Sequence, residues 1–236
     1  RSMFVVRCSL LVCALFVGYF ELRTSNFELQ AADEVGVLVL AHGGTNQWNG
    51  MVRKAVRNAD LDLPTEVAFG MGMHRHEVRY LQQAVNRLER KGLSRIVVVP
   101  LLVSSHSEVF RQYEYLFGLR KDAQWPEAGA PVALEVPITM GQALDDNPVV
   151  VDILLDRARK LSRQPQQETV LIVAHGPNEE PDNRQWLTVM SRLAEQVKAE
   201  GGFREVKSFT MRDDAVVPIH DQATKDLREA VQRASE

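Results

Sequence analysis

Short apolar runs rich in β-branched residues alternate with longer amphipathic stretches along most of the chain. The apolar runs predict buried strands, at residues 35–41, 66–71, 95–103, 132–136, 169–174 and 205–211. The amphipathic stretches predict helices, after Trp48 and over residues 77–91, 149–161, 184–198 and 222–233. Strands that are apolar throughout and are separated by helices are typical of parallel sheets, which are covered on both faces. The pattern therefore predicts an α/β fold.

One strand pattern occurs twice along the chain. The run that ends in His42 and Gly43 is echoed by the run that ends in His175 and Gly176. Between the two series of elements, residues 121–131 are rich in Pro, Gly and Ala, which is typical of a boundary loop. We therefore predict two related halves, over residues 33–125 and 126–236. No third strand follows the last helix of the second half, and we expect that half to be truncated.

An apolar run over residues 8–20 precedes the predicted strands. It follows Arg7 and is followed by a polar stretch that ends in Gln30-Ala31-Ala32, as in a secretory signal peptide. We predict a signal peptide over residues 1–32, and therefore export to the periplasm or another extracytoplasmic space. The alternative is an uncleaved membrane tether through residues 3–20. Without an export signal, the protein would be membrane-anchored or cytoplasmic.

The composition narrows the range of partners. The chain of 236 residues is 45% hydrophobic, which is enough for a full core. Because 28 Lys and Arg stand against 31 Asp and Glu, and no basic block is present, nucleic acid is not an expected partner. Neither common glycine-rich phosphate loop occurs, so we expect no nucleotide cofactor. The expected partner is a small molecule, and the sequence does not indicate an oligomeric state.

Two histidines follow predicted strands that we expect to be neighbours. His42 comes directly after the first strand, and His106 follows the third strand by a short loop. In a sheet of order 2-1-3, these strands flank the point where strand order reverses, and ligands bind in the crevice there. Gly43 and Gly44 allow the chain to turn sharply and keep the space above His42 clear of side chains. We therefore predict that both imidazoles enter one crevice.

The motifs Ala41-His42-Gly43-Gly44 and Val99-Pro-Leu-Leu-Val-Ser-Ser-His106 together resemble those of the class II tetrapyrrole chelatases, of the sirohydrochlorin cobaltochelatase kind. The resemblance runs from about residue 35 to the end of the chain. It implies two flavodoxin-like halves related by pseudo-twofold symmetry. It also implies a lyase of cobalamin or siroheme biosynthesis, which inserts Co²⁺, or alternatively Ni²⁺ or Fe²⁺, into a sirohydrochlorin-type ring.

The resemblance assigns roles to individual residues. It implies that His42 and His106 hold the metal and act in catalysis. Where the family often carries an acidic residue after the second strand, this chain has His74, which becomes a third metal ligand. Glu108, in the loop after His106, is a candidate replacement for the missing acid. An added imidazole would still suit Co²⁺, Ni²⁺ or Fe²⁺.

The chemistry of metal insertion explains this choice of residues. Two pyrrole N–H protons must leave while the metal exchanges its ligands for ring nitrogens, and an imidazole both binds divalent metals and accepts protons. The substrate carries several carboxylates, so Arg75 and Arg111, with Arg79, are candidate clamps. Gly43 and Gly44 are expected to lie against the ring.

Other interpretations remain open at this stage. A non-catalytic, exported protein that binds a metal or a tetrapyrrole would explain both the predicted signal and the missing acids. A hydrolase is disfavoured because no G-x-S-x-G motif is present. Among the other histidines, His76 could lie in an exposed turn, His175 could be a vestigial copy of His42, and His220 is expected to be surface structure.

Overall fold

The computed structural model describes residues 34–70, 75–122 and 129–235, without the side chains of residues 75–77. Strands and helices alternate along these ranges, and the α/β class is confirmed. Their bounds in chain order are β1 Val35–His42, α1 Asn46–Asn58, β2 Thr65–Gly70, α2 Arg75–Glu89, β3 Arg95–Leu101, α3 Glu108–Leu116, β4 Ile138–Met140, α4 Pro148–Leu161, β5 Thr169–Ala174, α5 Glu180–Gly201, β6 Glu205–Thr210 and α6 Val217–Ser235. A short 3₁₀ turn, Pro165–Gln167, connects α4 to β5.

The strands form two parallel sheets. The larger sheet has the order β2-β1-β3-β4, and the smaller sheet consists of β5 and β6. In the larger sheet β1 pairs with β2 on one side and with β3 on the other, so Leu40 lies between Ala68 and Pro100. The predicted 2-1-3 order is therefore correct. β4 lies beyond residues 121–131 in the chain and pairs with β3.

The core of the larger sheet lies between its central strands and the helices α2 and α3. Leu38 and Leu40 of β1, with Ile96 and Val98 of β3, are at most 1% exposed. They pack against apolar side chains of both helices, including Leu88 of α2. Burying a side chain of this size contributes roughly 1.5–3 kcal/mol, so this layer fixes the two strands that lead to His42 and His106.

A second core lies over the smaller sheet. Val151 and Leu155 of α4 pack against Leu193 and Val197 of α5, and Phe203 closes the cluster. α5 is therefore held by the second sheet along one face, and its other residues are available to contact neighbouring elements.

Both long helices of this part begin earlier than the sequence pattern indicates. α5 starts at Glu180 and not at residue 184, and α6 starts at Val217 and not at residue 222. Each has a proline in its first turn, Pro181 and Pro218, where the missing N–H costs no hydrogen bond. α5 ends at Gly201, and the cap residue Gly202 adopts a φ of 66° and donates its amide to the Lys198 carbonyl.

The predicted strand over residues 132–136 is wrong. Pairing with β3 begins only at Pro137, whose carbonyl accepts the Ile96 amide, and the strand is Ile138–Met140. The preceding segment packs on α2 instead, because the Gln82 side chain bonds both the amide and the carbonyl of Ala133. Its alternating apolar side chains thus reflect packing against a helix, which imitates the pattern of a strand.

The predicted signal peptide or tether over residues 1–32 lies outside the described residues. Among the helices in the described ranges, none is long and apolar enough to cross a membrane.

Candidate metal and substrate site

His42 is the last residue of β1 and is exposed at the carboxyl edge of the larger sheet, where its backbone pairs with Gly70 of β2. Its ring atom Nδ1 lies 2.7 Å from the carbonyl oxygen of Gly43. Because a carbonyl can only accept, this contact requires the proton on Nδ1. The lone pair of Nε2 is then free to bind a metal, the arrangement typical of histidine ligands.

The turn after His42 is built around Trp48. Thr45 caps α1 by accepting the Trp48 amide at 3.2 Å, and the indole N–H of Trp48 donates to the His42 carbonyl at 3.1 Å. A Cβ at Gly44 would lie 2.9 Å from the Trp48 ring. This close approach is a local reason for glycine at position 44; the predicted contact of Gly43 and Gly44 with a tetrapyrrole stays a prediction.

The loop that carries His106 is fixed at several backbone atoms. The buried Ser104 hydroxyl accepts the His106 amide at 3.0 Å, and the Trp186 indole donates to the His106 carbonyl at 2.6 Å. Ser105 donates its amide and its hydroxyl to the Asp145 carboxylate, at 2.9 and 2.7 Å. The His106 imidazole is half-buried and makes no hydrogen bond to any residue that the structure describes.

Asp145 supports this loop from an unusual backbone conformation. Its φ is 42°, in the left-handed region that aspartate tolerates better than most residues. In this conformation its amide donates to the Val103 carbonyl, and its carboxylate reaches Ser105. The loop before His106 is therefore tied to the segment that follows β4.

The sheet brings the two candidate ligands to one edge. β1 and β3 are parallel neighbours, with Ala41 opposite Leu101, and His42 and His106 follow these two positions. Among the described residues no group of three or more His, Cys, Asp or Glu side chains is placed to hold a metal ion. His74, the predicted third ligand, lies outside the described residues. Glu108 is exposed at the first position of α3, after the cap residue Ser107.

Arg111, a predicted substrate clamp, has a carboxylate partner within the protein. Its two terminal nitrogens donate to the two oxygens of Asp182, at 2.8 and 2.7 Å, and the side chains are 21% and 14% exposed. The hydrogen bonds to Asp182 raise the pKa of Arg111 above its ordinary value. Asp182 thus occupies the groups that a substrate carboxylate would use, and the sequence gives no sign of this pairing.

The remaining predicted clamps are less defined. Arg75 is the first residue of α2, and its side chain lies outside the described part of the chain. Arg79 lies over the ring of Tyr80, 5.7 Å from its centroid. Its predicted contact with substrate stays a prediction.

The run that ends in His175 repeats the local geometry of His42. Nδ1 of His175 lies 2.7 Å from the Gly176 carbonyl, as Nδ1 of His42 does from the Gly43 carbonyl. Here, however, Nε2 lies 3.2 Å from an oxygen of Asp214. Nε2 of His175 is therefore directed to a carboxylate of the same protein.

The half-buried His220 contacts the Met211 carbonyl through Nδ1 at 3.2 Å.

Comparisons with known proteins place this geometry in context. The family model named CbiX matches residues 36–161. The fold is similar to that of "SirB from Bacillus subtilis with Fe3+", with a TM-score of 0.55 and 17% identity over 75% of this chain and 66% of that chain. The sirohydrochlorin chelatase SirB from Bacillus subtilis subspecies spizizenii, in complex with cobalt, gives a TM-score of 0.50 and 16% identity over 74% and 66%.

The matched region thus spans about two thirds of the length of these solved chains, at 66%. No curated protein matches the sequence.

Proposed function

This chain belongs to the CbiX family of class II tetrapyrrole chelatases, and from that premise we propose that it inserts a divalent metal ion into a sirohydrochlorin-type ring. The proposal depends on one observation above all. Two neighbouring parallel strands carry His42 and His106 to the same edge of the sheet, where open α/β sheets bind their ligands. Imidazole ligands suit the divalent first-row metals.

Cobalt is the proposed metal substrate, with nickel and ferrous iron as alternatives. The two solved SirB structures that share the fold hold Fe³⁺ and cobalt, and these metals are properties of those proteins. The two proposed ligands that the structure describes, His42 and His106, both offer ring nitrogens. Such a pair discriminates weakly among Co²⁺, Ni²⁺ and Fe²⁺, because imidazole suits all three.

The proposed mechanism uses each imidazole twice. Nε2 of His42 and a ring nitrogen of His106 hold the incoming ion while the tetrapyrrole lies above the edge of the sheet. As the ion moves to the ring nitrogens, both imidazoles lose their metal bond and become able to accept a proton. The reaction releases two pyrrole protons for each metal inserted, which matches the two imidazoles. No electron transfer is needed.

A second candidate function is binding without turnover. It is favoured by His74, which stands where the family often carries an acidic residue. In that case an exported protein would carry a metal ion or a tetrapyrrole. The predicted signal peptide over residues 1–32 fits this role.

The insertion of Co²⁺ into sirohydrochlorin, followed by the change in the visible spectrum of the ring, tests the proposal. The purified protein should accelerate insertion over the protein-free rate. The double variant His42→Ala/His106→Ala should lose at least about 100-fold of that rate, because it lacks both the ligands and the proton acceptors. His220→Ala is the control and should retain the rate.

Equal rates for the double variant and the control would refute the proposed site. Tight binding of Co²⁺ to the wild-type protein without any insertion would decide for the second candidate.

A further inference from the structure

The main-chain carbonyls of His42 and His106 each accept a hydrogen bond from a tryptophan. The indole N–H of Trp48 donates to the His42 carbonyl at 3.1 Å, and that of Trp186 donates to the His106 carbonyl at 2.6 Å. These are two of the three tryptophans in the chain. The two bonds come from different helices, α1 and α5, yet both end on the residues that the proposed function requires.

Burial does not account for Trp48. Its side chain is 50% exposed, although it is among the largest apolar side chains and a core position would be expected for it. Its ring instead lies against Gly44, where an added Cβ would approach within 2.9 Å. The turn after His42 is thus shaped so that this indole can reach back to the carbonyl of the histidine.

Trp186 belongs to a face of α5 that supports the His106 loop. Asp182 lies one turn earlier on the helix, so the two side chains share a face, and it holds Arg111 of α3 through two hydrogen bonds. Arg192, further along α5, pairs with Asp146, next to the Asp145 that holds Ser105. The loop is therefore held by a helix whose own core lies over the second sheet.

A hydrogen bond to the carbonyl of a histidine limits the movement of the backbone that carries the imidazole. The carbonyl belongs to the peptide plane that follows Cα, so the bond restrains rotation about the Cα–C bond. At His42 the ring is also tied to the next carbonyl through Nδ1, at 2.7 Å. Together the two restraints narrow the directions in which Nε2 can present its lone pair. Loss of the indole bond would release the backbone restraint.

We propose that Trp48 and Trp186 are positioning residues, which hold His42 and His106 so that both rings can bind one divalent metal ion. The proposal rests on the proposed function and extends it, because it makes the second half of the chain, through α5, part of the metal site. The tryptophans act through the two histidines.

The test measures Co²⁺ binding by calorimetry, with the metal alone, in Trp48→Phe and Trp186→Phe. Outer-shell partners of metal ligands typically change affinity by 10–100-fold, so each variant should bind Co²⁺ at least about 10-fold more weakly. In the insertion assay the KM for the metal should rise by a similar factor, while kcat and the KM for the tetrapyrrole stay within about twofold.

Tyr115→Phe is the matched control. Its hydroxyl donates to the Gly129 carbonyl at 3.3 Å, so the variant also removes an aromatic donor from a main-chain carbonyl, but away from both histidines. It should bind Co²⁺ as the wild-type protein does. If a phenylalanine variant fails to fold, 3-benzothienylalanine at the same position keeps the bicyclic ring and removes only the N–H.

The outcomes separate this proposal from the proposed function. Weaker Co²⁺ binding in both tryptophan variants, in a protein that inserts no metal, would support the positioning role and refute the chelatase activity. Unchanged Co²⁺ affinity in both variants, in a protein whose activity is intact, would overturn the positioning role alone. A wild-type protein that binds no divalent ion would overturn both.

Discussion

Single residues decide how the turn after His42 is shaped. Any larger residue at position 44 would require the Trp48 ring to move, since a Cβ there would lie 2.9 Å from it. The sequence alone suggested that this glycine clears space for a flat ring. The structure adds a neighbour that uses the same space, and the identity of that neighbour could not be read from the pattern of residues.

Gly44→Ala should displace the Trp48 ring and so weaken its bond to the His42 carbonyl. We expect a loss of at most about 1 kcal/mol in the free energy of unfolding, less than the ~1–3 kcal/mol of an overpacked core because the half-exposed Trp48 ring can shift, together with weaker Co²⁺ binding. Urea unfolding and calorimetry measure the two effects.

Gly50→Ala in α1 is the control, because nothing lies within 4 Å of a Cβ at that position. It should stabilise the protein by roughly 0.5–1 kcal/mol, since alanine is the better helix former. Equal effects of the two substitutions would contradict the assigned role of Gly44.

At the scale of elements, the sequence predicts the central strands well and their neighbours less well. β1 and β3 consist almost entirely of apolar residues, so their existence follows from composition. Burial does not, because β3 is covered on one face only, with Val99 and Leu101 43% and 38% exposed. β4 has three residues and carries no comparable pattern, whereas residues 132–136 alternate because they pack on α2. A periodicity of two cannot distinguish these environments.

The contact between α3 and α5 could not be predicted from the sequence. Arg111 and Asp182 are 71 residues apart, and Trp186 is 80 residues from His106. A single sequence gives no signal for pairs at that separation, because each side chain is ordinary for an exposed helix face. Only the folded chain brings these residues together, and their contacts support the His106 loop.

Asp182→Asn should destabilise the protein by about 2 kcal/mol, because hydrogen bonds to charged groups contribute roughly 1.5–3 kcal/mol and this pair is mostly buried. The shift of the urea midpoint at constant m-value measures the loss.

Asp156→Asn is the control, because it removes one partner of the exposed ion pair with Lys160, whose side chains are 59% and 70% exposed. It should lower the free energy of unfolding by less than about 0.5 kcal/mol. If Asp182→Asn and Asp156→Asn lost the same stability, the ion pair between Arg111 and Asp182 would not stabilise the contact of α3 with α5.

At the scale of the whole molecule, two unequal parallel sheets share one candidate site. The first sheet supplies both histidines, and α5, packed over the second sheet, supplies bonds to the loop of one of them. The repeated run at His175 keeps the ring-to-carbonyl contact of His42 but faces Asp214. The pseudo-twofold relation between halves and the boundary at residue 125 stay predictions.

The fold class follows from the sequence, because strand and helix patterns are local features, and so do the positions of His42 and His106 after two strands. That these strands are neighbours does not follow from local patterns; it rested on the order 2-1-3 that is common for such folds, which the structure has. The third ligand, His74, stays a prediction, since it lies outside the described residues. The hydrogen bonds from the two tryptophans and the pairing of Arg111 with Asp182 are tertiary contacts, which the sequence pattern does not predict.

The proposed function requires that His42 and His106 bind one metal ion together. An anomalous difference map from a crystal grown with Co²⁺ would show whether they do. We predict one peak at about 2.0–2.2 Å from Nε2 of His42 and from a ring nitrogen of His106, the usual range for metal–imidazole bonds. A peak bonded to only one of these histidines, or one between His175 and Asp214, would contradict it.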